Sequence, residues 1–233
     1  MGFFHIPDPT DDDDTLLDDD EDEFDPPTAQ WIGGVVPVEV VVARSDQAAV
    51  VVRSLVAYPD GFAFTLDAFL HRSVKLKRDR RGPFHHHDPW GDDGPIGDET
   101  LRFGISWPDG GRATNLDRWG RGWEDATEPA HGLESGSSGG GGREYSWEYW
   151  AWPLPVEGEL RFICEWPGFK IPETAAAVAG GALIDAARRA FPVWPDDADR
   201  ASHMTRGGMF RSVRAHQIRT MGSPGDEGPA LEP

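Results

Sequence analysis

Residues 48–72, AAVVVRSLVAYPDGFAFTLDAFLHR, decide the fold. Phe62, Phe64, Leu66, Ala68 and Leu70 fall on one side of an extended chain, with Ala63, Thr65, Asp67, Phe69 and His71 on the other. That period of two is the signature of a half-buried β-strand. The β-branched run 48–57 before it fits a pleated surface equally well. Between the runs stands Tyr58-Pro59-Asp60-Gly61, where Pro pre-sets φ at one turn position and Gly accepts positive φ at a later one. Residues 48–72 therefore read as a β-hairpin.

Working outward, Val36, Val38, Val40 and Val42 alternate on one face with Glu39 opposite. Residues 101–107 and 111–116 flank Pro108-Asp109-Gly110, which gives a second hairpin. Residues 144–152 (EYSWEYWAW) form an aromatic strand. In 158–166 (GELRFICEW), Leu160, Phe162, Cys164 and Trp166 face one way and Glu159, Arg161 and Glu165 the other. One helix is expected at about 180–191, with Leu183, Ala187 and Phe191 as its apolar stripe, Arg188 and Arg189 near its C-terminal end, and Pro192 and Pro195 to stop it. Six or seven strands in adjacent hairpins with one late helix imply a mostly β protein. The expected fold is an antiparallel β-sandwich, with a partly open barrel as the alternative.

The domain spans 31–195 in this reading. Residues 1–30 hold 12 of the chain's acidic residues and no Lys or Arg, so the net charge of −19 falls to −7 over the remainder. Like-charge repulsion and few apolar side chains predict a disordered acidic tail at 1–30. Residues 196–233 read as a mobile C-terminal tail, within which Met209, Phe210, Val213 and Met221 would share one side of a short helix formed on a partner. Two long loops are expected inside the domain. The first, 73–100, is basic early and acidic late; the second, 117–143, ends in Ser and Gly of linker composition.

A lone cysteine, Cys164, cannot staple the fold, which fits a reducing compartment. The opening residues lack a basic region and an apolar core of signal-peptide type, and no apolar run approaches the ~18 residues of a membrane span. The sequence thus predicts a cytoplasmic protein without a membrane segment. Trp152-Pro153-Leu154-Pro155, Cys164-Glu165-Trp166-Pro167 and Ile171-Pro172-Glu173, together with the Tyr58–Gly61 turn, resemble a group of soluble bacterial proteins over roughly residues 35–195. That resemblance implies a single soluble domain; it brings no assigned activity and no functional residue.

Candidate chemistry starts with His85-His86-His87-Asp88, which offers metal-ligand types, with His71, Asp92 or His131 to complete a shell. Consecutive side chains in an extended loop between Pro83 and Pro89 diverge, which favours a solvated loop. Cys164 lies in the apolar alternation and reads as core. Glycines 139–142 lack the Lys-Ser/Thr and the following helix of a phosphate cradle. Glu144, Glu148, Glu159 and Glu165 on paired strands resemble a two-carboxylate arrangement, yet outward acids on strands are ordinarily solvated. The basic stretch 72–81 has no interleaved aromatics, so nucleic acid is disfavoured.

Ten Trp residues are the largest compositional anomaly. Tyr145, Trp147 and Tyr149 share one face of their strand, and Trp150 and Trp152 the other, so both sets cannot enter one core. Either a loop or the late helix covers the second set, or Trp150 and Trp152, with Trp119 and Trp123, form a binding surface. The leading expectation is a non-enzymatic protein-interaction module with charged tails, an unidentified protein partner and no cofactor. A small-ligand or carbohydrate-binding domain using the Trp surface is second. A hydrolase or metal enzyme built on loops 85–93 and 117–134 is third.

Overall fold

The computed structural model describes residues 2–3, 31–75, 96–117 and 130–194. The first hairpin forms where its alternation places it. Ala48–Ala57 and Phe62–Leu70 (β4 and β5) pair antiparallel, and Tyr58 N–H donates to the Gly61 carbonyl across the turn. On β4 a bulge lies between Arg53 and Val56, where Ser54 sits at φ 55°. The strands of this sheet run in the order Gly34–Val35 (β2), β4, β5, Glu144–Trp152 (β9), Gly132–Gly141 (β8), and Val40–Arg44 (β3) also pairs with β4.

A second sheet has the order Ile171–Ala179 (β11), Glu159–Trp166 (β10), Arg102–Ser106 (β6), Arg112–Thr114 (β7), all antiparallel. A two-stranded ribbon joins Trp31–Ile32 (β1) to Phe191–Pro192 (β12). The two large sheets pack face to face, with β3 against β11 at one flank and β7 against β8 at the other. The molecule is an antiparallel β-sandwich with one helix, Gly180–Ala187 (α1), among the described residues.

The core is the contact between the two inward faces. Phe64 of β5 meets Phe162 of β10 at 5.4 Å between ring centres and Phe103 of β6 at 5.9 Å, and Phe103 meets Tyr149 of β9 at 5.8 Å. Offset and edge contacts of this kind add to the burial of the rings themselves. Leu160, Phe162, Cys164 and Trp166 are buried together, as their alternation requires. The Cys164 thiol is pushed up to about 12 by burial and is free. Native protein at pH 8 should therefore leave a disulfide reagent unreacted over hours and consume one equivalent in denaturant. Native-state modification at the rate of an open thiol would show that this face is not sealed.

Three expectations are corrected, and one segment the sequence left unassigned, 171–179, is a strand. Residues 132–141, read as part of a loop, form strand β8, because the neighbouring β9 backbone offers a ladder that holds even Ser and Gly. Residues 171–179 form β11, an alanine-rich strand opposite β10. The helix stops at Ala187. Its buried residues are Gly180, Leu183 and Ala186, three apart, whereas Phe191 leaves the helix to pair with Ile32 and is 56% exposed. Helix α1 approaches β2 so closely that a Cβ on Gly34 would stand 1.8 Å from the Ala186 carbonyl oxygen, so only glycine fits there. Finally, Trp150 is buried rather than open. The Tyr58 ring of the hairpin turn meets it edge-on at 5.5 Å.

Candidate interaction site

On β10 the inward residues are even-numbered, so Arg161, Ile163 and Glu165 point away from the core. By the same alternation β6 turns Arg102, Gly104 and Ser106 outward, and β7 turns Arg112 and Thr114 outward. Register places Ile163, Gly104 and Thr114 side by side across three strands. Ile163 is only 6% exposed although it lies on the outward face, apart from the main core cluster. A buried apolar side chain on the outside of a sheet requires a cover.

Phe3 lies on this same outward face. Phe3 lies over Gly104, where an added Cβ would stand 2.4 Å from the ring, 2.9 Å from the Ala113 carbonyl oxygen and 3.1 Å from the Thr114 methyl. The Arg112 guanidinium sits 5.2 Å from the Phe3 ring centre, within cation–π range. The Phe3 backbone N–H donates to a Glu173 carboxylate oxygen on β11 at 2.6 Å. Phe3 is thus held by a glycine floor and a cationic wall at its ring and by a carboxylate that accepts from its backbone N–H, contributed by three strands. The rim is charged: Arg102 pairs with Glu165 at 2.6 Å and Arg161 with Glu159 at 2.8 Å, and the Arg102 Nε is buried without a hydrogen-bond partner.

Two other clusters are built from the opposite sheet and the sandwich end. On the outer face of the larger sheet, Asp67 is fully buried and accepts from Arg53 Nε and Ser146 Oγ, with Glu144 3.6 Å from Arg53. At one end, His131 Nε2 lies 3.0 Å from Asp109 and the imidazole meets Trp107 edge-on at 5.1 Å. The Gly111 N–H and His131 together hold the Asp109 carboxyl below its usual range.

Of the residues singled out from sequence, His85, His86, His87 and Asp88 lie outside the described residues, as do Trp119 and Trp123. Trp152 is half-buried with its ring against Gly132, and Trp150 is sealed, so these two do not make an open aromatic platform. His71 bonds Ser73 rather than approaching His131's cluster. Glu144 and Glu148 lie on β9, Glu159 and Glu165 on β10, in different sheets. Among the described residues no group of three His, Cys, Asp or Glu is gathered as metal ligands, and no helix is long and apolar enough to cross a membrane. Large exposed apolar side chains gather near the β1–β12 ribbon: Ile32, its register partner Phe191, Val35 and Trp194.

Phe3 and Gly104 were not singled out from sequence. The available signal was the glycine interrupting the strand pattern LRFGISW, since glycine inside a strand marks a bulge or a close approach. Comparison with known proteins gives no protein-family model, no curated protein and no solved structure that matches the chain.

Proposed function

We propose that this domain is a cytoplasmic, non-enzymatic protein-interaction module that holds an extended peptide segment by one aromatic side chain on the outer face of its four-stranded sheet. The observation that carries this reading is Phe3 seated over Gly104, with Arg112 beside the ring and Glu173 on the backbone amide. The chemistry is that of peptide recognition: a main-chain hydrogen bond for affinity and a side-chain seat for specificity. Burying a phenyl ring is worth about 1.5–3 kcal/mol and an exposed cation–π contact about 0.5–1 kcal/mol. Together these reach about 2–4 kcal/mol, so the ring and the cation support recognition at roughly millimolar level or weaker, that of a transient contact.

A fluorescent peptide with the sequence of residues 1–14, MGFFHIPDPTDDDD, provides the probe. The full chain carrying Phe3→Ala should bind it saturably in fluorescence anisotropy. A peptide with alanine for Phe3 should bind about three- to ten-fold more weakly, the loss expected for a half-buried ring. Adding Arg112→Ala and Glu173→Gln, both exposed positions, to the chain should weaken binding further while the melting temperature stays near that of Phe3→Ala alone. No saturable binding to a folded Phe3→Ala chain sinks the proposal.

A further inference from the structure

The seat on the four-stranded sheet is occupied by the chain that builds it. Phe3 is covalently joined to Trp31, where the first described strand begins, through residues 4–30, a stretch of 27 positions that carries 12 carboxylates and no Lys or Arg. We infer that Phe3 is a resident ligand in cis, so that the module gates its own peptide site and opens only to a segment of the same chemistry: an aromatic side chain on an extended backbone. The inference rests on the peptide-binding reading above and adds a regulation to it.

The physical basis is effective concentration. A ligand joined covalently to its own seat competes with an external one at an effective concentration set by the linker, whatever the protein concentration. Where that concentration matches or exceeds the dissociation constant, an external peptide binds at least about two-fold more weakly than to an empty seat.

The contacts of Phe3 fit a replaceable ligand better than a structural strut. The ring is half-buried, the hydrogen bond to Glu173 is exposed, and the Arg112 guanidinium is contributed by an edge strand.

The test titrates the 1–14 peptide into three full-length proteins: wild type, Phe3→Ala, and a wild-type chain with a protease recognition site placed within residues 20–29. Phe3→Ala should bind at least about two-fold more tightly than wild type. Cutting the third protein, followed by dilution, should raise its affinity from the wild-type value to that of Phe3→Ala. If Phe3→Ala binds the peptide but wild type and the cut chain bind it equally well, the cis occupancy is wrong while the binding site stands. If Phe3→Ala does not bind at all, the peptide-binding reading itself has failed. The cleavage arm keeps the native Phe3 and decides the matter even if Phe3→Ala folds poorly.

Discussion

Phe64→Ala and Phe162→Ala should each cost the domain about 3–5 kcal/mol, the range for truncating a buried aromatic. The two rings are 2% and 0% exposed and meet across the sandwich at 5.4 Å, so each removal opens a void between the sheets rather than at a rim. Phe103 touches both, and its ring cannot fill either gap without leaving the other. Because the pair shares partners, the double variant should lose less than the sum of the single losses. Against a typical total stability of roughly 5–15 kcal/mol, either change alone removes a large share. Urea titration measures it as a lower midpoint with an unchanged slope. Losses of a few tenths of a kcal/mol would mean that these rings do not join the two sheets.

Those positions were legible because alternation is a property of the side chains themselves. In 62–70 and 159–166 the inward residues are large and apolar, and the turns at Pro59–Gly61 and Pro108–Gly110 fix where each run ends. Strands β8 and β11 carry no such signal. Glycine, serine and alanine bury little on either face, so these segments are strands only because β9 and β10 present a backbone ladder beside them. The helix end misled for a related reason: Phe191 satisfies a four-residue spacing on paper, but Ile32, far away in sequence, takes it into a ribbon. Alternation also assigned Trp150 to the second face without saying whether anything lay over it, and the covering ring, Tyr58, belongs to a turn 92 positions earlier. The seat for Phe3 joins the chain's third residue to strands beginning at 102, 112 and 171. No local spacing encodes that meeting.

Asp67 shows the same limit and carries the second large effect. Alternation places it on the outward face, where an acid is normally solvated, yet it is 0% exposed. Arg53 from β4 and Ser146 from β9 close over it and satisfy its oxygens. The energetics of such a pair are asymmetric: the partner left buried decides the cost. Arg53→Met keeps much of the side chain's bulk and leaves the carboxylate with the Ser146 hydroxyl as its remaining side-chain donor. That variant should lose about 3 kcal/mol, the lower end for breaking a buried ion pair. Asp67→Leu leaves Arg53 instead, whose side chain is 42% exposed, with Glu144 at 3.6 Å and the Phe69 ring at 5.9 Å from its guanidinium. Water and those neighbours accept the freed cation, so this change should cost about 1 kcal/mol or less. Combining Arg53→Met with Asp67→Leu removes both charges and should recover most of the loss of Arg53→Met alone, since an apolar pair of similar volume is often as stable as the ion pair it replaces. A double-mutant cycle by urea titration reads the difference directly. Equal losses for the two single variants would mean that the Asp67 carboxylate is open to water and that Arg53 is a surface residue like any other.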